Sequence, residues 1–240
     1  AGDDTYTVSG VVSNSTLSGG SGADLLDFTK AVTGSTLDAG PGASNDTITV
    51  AGSVVNSSLS GKDGDDSISL GKGLTGSTLT GGSGADTLNI SLNALNSSIL
   101  GGIGDDLISV DGSLSATTVF GADGDDTISI SGNVVGNSQL YGNAGDDSID
   151  VAGSLTNSSI FGGQGKDSLI VQGSVVGGNV EGNSGNDSIS IGGTATGALI
   201  AGGQGNDTLS IAGAVLGGQV GGQLGTDLLN VDGKVTNALV

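Results

Sequence analysis

The sequence repeats itself about every 20 residues, and this repeat limits the possible folds more than any other feature. One aspartate recurs in every copy, and successive copies are separated by 20, 22, 20, 20, 20, 20, 21, 20, 20, 20 and 20 residues. A chain with a fixed period in this range builds a stack of similar units, each packed only on its neighbours. The recurring residues, here called the aspartate column, are Asp4, Asp24, Asp46, Asp66, Asp86, Asp106, Asp126, Asp147, Asp167, Asp187, Asp207 and Asp227.

Apolar residues keep the same period. The second and fourth residues after each column aspartate are apolar in every copy, as Ile128 and Ile130 are after Asp126. This alternation predicts a short strand with one buried face. Further apolar residues stand eight and thirteen positions after the aspartate. The tenth position holds Asn or Gly in eleven copies, and these residues tolerate the left-handed conformation that a tight turn needs.

No segment shows the 3.6-residue period of a helix. A unit of this length, with two short strands and two turns, cannot bury its apolar side alone. The pattern therefore predicts an all-β fold, a parallel β-solenoid (β-roll or β-helix) of about twelve 20-residue coils. Residues 1–240 are expected to form one domain, a rod of roughly 55–60 Å at ~4.8 Å per coil. Ala1 and Val240 leave both ends uncapped in this interpretation, and uncapped strand edges favour end-to-end association.

Stacking would bring the aspartate column to one edge of the solenoid. Carboxylates about 4.8 Å apart repel each other by ~1 kcal/mol in water, and several-fold more near a protein surface. Gly lies two positions before the aspartate in eleven copies, with Ser44 as the exception, so the loops can turn their carbonyls towards one point. Crowded oxygen ligands in a chain without His or Cys favour calcium. All twelve column aspartates are therefore candidate ligands, with roughly one ion per gap between coils.

Two observations bear on this assignment. Eleven gaps with one divalent ion each would add 22 positive charges to a chain of formal charge −20. Aspartate ladders also cap turns by accepting hydrogen bonds from backbone N–H groups, but Asn or Ser would serve that purpose too, and neither occurs in the column. Other aspartates near the column are expected to face solvent and only deepen the negative field. They are Asp63, Asp65, Asp105, Asp123, Asp125 and Asp146.

The loops resemble a known calcium-binding motif. The segments GGSGADTLN (81–89), GGIGDDLIS (101–109) and GGQGNDTLS (202–210) are similar to the nonapeptide of the repeats-in-toxin (RTX, haemolysin-type) family. This resemblance implies calcium ions sandwiched between loops, held by the aspartate side chain and loop carbonyls. It also implies a secreted chain that folds on meeting extracellular calcium.

The sequence differs from the usual calcium-binding roll of this family, because its opposite turn carries no aspartate column. It is closer to one-sided calcium solenoids of bacterial adhesins and cyanobacterial surface proteins such as oscillin. Two loops are expected to be weak sites. In one, Lys166 stands beside Asp167, and the other is the irregular loop 40–46.

Catalysis is disfavoured by composition. The chain has no His, Cys or Arg, and its five lysines are scattered through the repeat, so no acid–base constellation forms. Its strong negative charge disfavours nucleic acid and anionic membranes as partners. No apolar run approaches the ~18 residues that span a bilayer.

Recognition of a surface is the next alternative. Ice-binding calcium solenoids resemble this architecture, but they carry an outward Thr/Asn ladder in their loops. The equivalent position here holds Ser21, Asp63, Ser83, Ile103, Asp123, Ala144, Gln164, Ser184, Gln204 and Leu224, which form no such ladder. Paired hydroxyl residues of the other sheet, such as Ser97-Ser98 and Thr117-Thr118, are expected to form a polar solvent face, with contact to cell-surface glycans left open.

The remaining alternatives are structural. The first is an extracellular element such as a surface-layer, sheath or filament subunit that is stiffened by calcium and self-associates end to end. The second is a calcium-folded stalk of a larger secreted adhesin or exoprotein whose active domain lies outside this chain. Repeating particles or fibres would favour the first, and a capped monomer the second.

Overall fold

The computed structural model describes residues 2–240, and the regular structure of that part consists of 35 β-strands. None of the described residues forms a helix able to cross a membrane. The strands of the first four coils are β1 (Thr5–Val8), β2 (Val12–Ser13), β3 (Thr16–Ser18), β4 (Leu25–Phe28), β5 (Val32–Thr33), β6 (Thr36–Asp38), β7 (Thr47–Val50), β8 (Val54–Val55), β9 (Ser58–Asp63), β10 (Ser67–Leu70), β11 (Leu74–Thr75) and β12 (Thr78–Ser83).

The next four coils contain β13 (Thr87–Ile90), β14 (Ala94–Leu95), β15 (Ser98–Ile103), β16 (Leu107–Val110), β17 (Leu114–Ser115), β18 (Thr118–Asp123), β19 (Thr127–Ile130), β20 (Val134–Val135), β21 (Gln139–Ala144), β22 (Ser148–Val151), β23 (Leu155–Thr156) and β24 (Ser159–Gln164). The last four contain β25 (Ser168–Val171), β26 (Val175–Val176), β27 (Asn179–Ser184), β28 (Ser188–Ile191), β29 (Ala195–Thr196), β30 (Leu199–Gln204), β31 (Thr208–Ile211), β32 (Val215–Leu216), β33 (Gln219–Leu224), β34 (Leu228–Val231) and β35 (Val235–Thr236).

Every coil contributes its strands in the same order to three parallel sheets. The first strands form the 12-stranded sheet A, the second strands the 12-stranded sheet B, and the third strands the 11-stranded sheet C. Equivalent residues pair directly, so Ile128 lies between Ile108 and Ile149. The chain is thus an all-β parallel β-solenoid of about 12 coils, which confirms the predicted fold class.

The coil has three strands where the sequence predicted two. Leu114 and Val119 are both fully buried, although they stand an odd number of residues apart. Residues that far apart on one continuous strand would face opposite sides. The chain turns between them at Ala116, whose φ is 48°, and the same turn uses Asn or Gly in the other coils. The turn makes two strands out of the predicted one.

The core is a column of aliphatic side chains between the three sheets. Each coil places two of them from sheet A, one from sheet B and one from sheet C, as Ile128, Ile130, Val134 and Leu140 show, all at most 1% exposed. Burial of each such side chain contributes about 1.5–3 kcal/mol. This stacked core fixes the register in which the loops meet.

The paired hydroxyls form a polar solvent face only in part, because the first member of every pair from Ser35-Thr36 to Ser158-Ser159 is buried, while the second is exposed or half-buried. Thr117 and Ser138 are 0% exposed. Their oxygens accept hydrogen bonds from the backbone N–H one coil before, as in Thr117 N to Ser138 Oγ at 3.1 Å. The hydroxyls themselves donate to carbonyls of their own turn. This hydroxyl ladder consists of Ser15, Ser35, Ser57, Ser77, Ser97, Thr117, Ser138 and Ser158.

A buried carboxylate column as a candidate calcium site

The aspartate column lies in the turn between sheets C and A, just before each sheet A strand. Ten of its twelve members are buried, from Asp24 to Asp207. Asp4 is exposed and Asp227 is half-buried. Uncompensated carboxylates are rarely buried, so the contacts of these side chains decide what they do.

One oxygen of every column carboxylate after Asp4 ties two coils together. The backbone N–H of Asp106 donates to Asp126 Oδ1 at 2.9 Å, and the N–H of Asp126 donates to Asp147 Oδ1 at 2.9 Å. The same bond links all neighbouring members from Asp4 to Asp227 at 2.6–3.0 Å. Capping of turns, the alternative role considered for these aspartates, is therefore the role of Oδ1.

The second oxygen has no partner. It is sealed from solvent and accepts no hydrogen bond in nine members of the column. A buried acceptor without a partner costs about 1–3 kcal/mol, and more when it is charged. Asn would place an amide N–H₂ at this point, so capping alone does not account for a column made only of Asp. The nine aspartates are Asp24, Asp66, Asp86, Asp106, Asp126, Asp147, Asp167, Asp187 and Asp207.

A glycine five residues before the aspartate leaves room beside this free oxygen. A Cβ on Gly81 would overlap Asp86 Oδ2 and would lie 2.7 Å from the carbonyl oxygen of Gly101 in the next coil. On Gly142 it would overlap Asp147 Oδ2 and lie 2.6 Å from the carbonyl oxygen of Gly162. We call these residues the cradle glycines, because each leaves a small space beside the carboxylate, and at six of them a carbonyl oxygen of the next coil also borders this space. They are Gly19, Gly61, Gly81, Gly101, Gly121, Gly142, Gly162, Gly182, Gly202 and Gly222.

The electrostatics of the column favour a cation. Burial raises the pKa of Asp126 to about 7, repulsion from Asp106, Asp105 and Asp125 adds to the rise, and the hydrogen bond from the Asp106 N–H opposes it. Burial likewise raises the pKa of Asp86 to about 7. A cation beside Oδ2 would reverse this shift, because it stabilises the ionised form.

These residues fit calcium. No three carboxylates of residues 2–240 converge on one point, so each site would combine one buried Oδ2 with carbonyl oxygens of adjacent loops. Calcium accepts such mixed oxygen ligands in flexible numbers. When bound, it would supply the positive charge that the buried carboxylate lacks.

The expected solvent-facing aspartates have a further role that the sequence analysis missed. Asp105 and Asp125 are exposed, as predicted, but each also holds the next coil. The N–H of Asp125 donates to Asp105 Oδ1 at 2.9 Å, and the N–H of Asp146 donates to Asp125 Oδ1 at 2.7 Å. Asn186 and Asn206 accept in the same way. The recurrence of Asp or Asn at this position was the available signal.

The two predicted weak loops differ in the structure. Lys166 donates its backbone N–H to Asp146 Oδ1 at 2.6 Å, and Asp167 keeps its sealed, unpartnered Oδ2 beside Gly162. Asp46 alone among the ten buried members lacks such an oxygen. The Lys166 loop thus retains the arrangement, and the loop at 40–46 does not.

The fold and this edge define a one-sided parallel β-solenoid with calcium-type loops, and comparison with known proteins agrees. The chain carries the RTX calcium-binding nonapeptide repeat, which matches in four copies at residues 1–28, 77–89, 135–154 and 192–210. No curated protein matches the sequence significantly.

One solved structure shares the fold across almost the whole chain. It is the X-ray crystal structure of a hyperactive, Ca²⁺-dependent, β-helical antifreeze protein from an Antarctic bacterium, with a TM-score of 0.64 and 22% identity. The match covers 98% of this chain and 80% of that one. Identity at this level supports the fold alone.

Proposed function

We propose that this chain is an extracellular structural protein, a calcium-stiffened rod that serves as a surface-layer, sheath or filament subunit. The observation that carries the proposal is the row of nine sealed carboxylate oxygens without a partner. Each one destabilises the folded chain until a cation binds beside it. Calcium binding and folding are then one event, which suits a chain that is exported before it folds.

Column aspartates and loop carbonyls would hold the ions, roughly one per gap between coils. Every column aspartate remains a proposed ligand except Asp46, whose loop lacks the sealed, unpartnered Oδ2. The buried members with a free Oδ2 have the strongest support, and Asp4 and Asp227, the first and last, are the least buried. The proposal assigns this chain no catalytic role.

Self-association end to end follows from the repeat. Each coil offers parallel strand edges that match those of any other coil, so a second copy can continue all three sheets. Calcium would be needed at the junction too, because the column continues across it. Contact with cell-surface glycans stays a secondary proposal.

Chelation combined with electron microscopy tests this function. Circular dichroism of the purified chain should show a β signal in calcium that disappears on chelation and returns when calcium is restored. An unchanged spectrum would refute the role of the metal in folding. Micrographs in calcium should show particles or fibres built from the repeating chain. Monodisperse monomers that fold with calcium would favour the stalk of a larger exoprotein.

A second candidate, recognition of ice, is favoured by the outer face of sheet A. In six of the twelve strands, hydroxyl residues flank the central apolar side chain on both sides, as Thr47 and Thr49 flank Ile48, and Thr208 and Ser210 flank Leu209. Equivalent residues of neighbouring strands pair directly, as Thr208 does with Ser188, and the structural neighbour named above is an antifreeze protein. Eight residues without a hydroxyl interrupt the array, and they are Leu25, Asp27, Asn89, Leu107, Asp150, Ile170, Leu228 and Asn230.

Thermal hysteresis measured in calcium tests this candidate. Ice growth inhibition should be lost in Ser190→Tyr, which disturbs the face, and kept in Thr196→Tyr, which lies on sheet B. No hysteresis in the wild-type chain would eliminate the candidate.

A further inference from the structure

The loop that carries Asp46 lacks the space that the other calcium-type loops share. Strand pairing aligns Ser18, Asp38 and Ser60, so the residue that follows each of them occupies the cradle position. Gly19 and Gly61 stand there in the flanking coils. Ala39 stands between them and is 0% exposed. Its methyl group fills the volume that a cradle glycine leaves open.

The same loop has also lost the regular backbone of the site. Asp38 pairs with Ser60 and Ala43 pairs with Asp63, so residues 40–42 stand opposite the single residue Lys62. The inserted residues interrupt the sheet C pairing that other coils continue through the equivalent loop, as Gly82 does with Gly102. In agreement, Asp46 has no sealed, unpartnered Oδ2, although it is 3% exposed.

A side chain supplies positive charge across this gap. Lys62 Nζ lies 3.2 Å from Asp38 Oδ2, and this is the one ion pair found within residues 2–240. It joins the coil that contains Ala39 to the next coil. The pair lies on the outer face of sheet C, because both side chains are partly exposed, at 47% and 29%, whereas the neighbouring Ala39 faces the core.

We infer that the row of calcium sites is interrupted at Asp46, because the methyl group of Ala39 fills the space that a metal would need. The Asp38–Lys62 ion pair then joins the two coils at this point. The inference rests on the proposed binding of calcium by the other gaps. It divides the rod into a short segment before the joint and a long calcium-bound segment after it.

Native mass spectrometry of the full chain in saturating calcium tests the empty gap. Asp46→Asn should leave the number of bound ions unchanged, whereas the matched variant Asp106→Asn should lower it by one. Loss of an ion in Asp46→Asn would overturn the inference. Retention of every ion in Asp106→Asn would instead refute the proposed calcium site, so the two failures can be told apart.

A restored loop provides a test by gain. Deleting Pro41 and Gly42 and introducing Ala39→Gly and Ser44→Gly recreates the regular loop, and this variant should bind one ion more than wild type. An equal count would show that Ala39 and the inserted residues do not close the gap. Gly10→Ala is the control, because a Cβ there meets nothing within 4 Å.

Hydrogen exchange in calcium tests the ion pair. Lys62→Met should speed exchange in residues 5–38 relative to the rest of the chain, and high salt should do the same to wild type. Lys72→Met removes an exposed lysine on the opposite turn and should leave the exchange rate of residues 5–38 unchanged. Uniform protection in Lys62→Met would contradict a joint held by this pair.

Discussion

At the scale of single residues, the column aspartate combines two roles in one carboxylate. Its Oδ1 accepts a hydrogen bond from the preceding coil, and its Oδ2 is left free beside a glycine. Asn could supply the first role and not the second, which explains why the column uses Asp throughout. A neighbouring exposed aspartate such as Asp123 has neither contact.

Asp126→Ala tests this division of roles. The substitution leaves the Asp106 N–H without its acceptor, a loss on the order of 1–3 kcal/mol, and it also removes a proposed calcium ligand. Urea denaturation in saturating calcium should therefore show a clear loss of stability, and stability should depend less steeply on calcium concentration.

Asp123→Ala is the matched control for that variant. Its side chain is exposed, so the stability should change by no more than about 0.5 kcal/mol. Equal losses in the two variants would remove the basis for the ligand assignment.

At the scale of elements, sheet C carries a short stack of aromatic rings on its outer face. Phe120, Tyr141 and Phe161 occupy equivalent positions in three successive strands. Their ring centroids lie 5.1 Å apart with interplanar angles of 10° and 13°. The middle ring belongs to the coil that contains one extra residue. The stack therefore spans the coil that accommodates this extra residue and both of its neighbours.

Tyr141→Ala should destabilise the rod by roughly 1–3 kcal/mol, because it removes two ring contacts of about 0.5–1.5 kcal/mol each. Thermal unfolding in calcium measures the loss. Thr80→Ala, at the same position of an earlier strand, removes no ring contact and should cost far less. Similar losses in both variants would mean that the stack adds nothing beyond ordinary sheet packing.

At the scale of the whole molecule, stability is a sum over similar coils and the interfaces between them. Each interface repeats the same buried charge, so conditions that act on one carboxylate act on the whole column. The pKa values of Asp86, Asp126 and Asp147 are raised to about 7, and those of Asp66, Asp106, Asp167 and Asp187 to about 6. Burial is the main cause in every case.

These shifts predict opposite pH dependence with and without calcium. In a calcium-depleted buffer the folded chain keeps protons that the unfolded chain releases above its usual pKa of 3.8. Stability should therefore fall as pH rises from about 4 to 7, by up to about 1.4 kcal/mol per pH unit for each carboxylate.

In saturating calcium the ionised carboxylates bind metal, so stability should rise over the same pH range. Urea midpoints at pH 4, 5.5 and 7 in both buffers would measure the two trends. A rise with pH in the calcium-depleted buffer would contradict the buried, unpaired state of Oδ2.

Several features could be predicted because they repeat. The 20-residue period, the two buried positions after each aspartate and the oxygen-only ligand set predicted a parallel solenoid with calcium along one edge. One residue in one coil says little about where its side chain lies. When the same residue type recurs in twelve coils, stacking places all its copies on the same edge and face of the solenoid.

The burial and contacts of other side chains could not be predicted, because they depend on residues of the neighbouring coils. The sequence alone left open whether Asp126 caps a turn or faces a cation, and the structure shows one oxygen free for the second role. The sequence also did not reveal that the first hydroxyl of pairs such as Thr117-Thr118 is buried, or that each coil has a third strand. Ala39 occupies the place of a glycine only once strand pairing accounts for the inserted residues. The repeat determines the register, whereas contacts across the gap between coils determine what each side chain does.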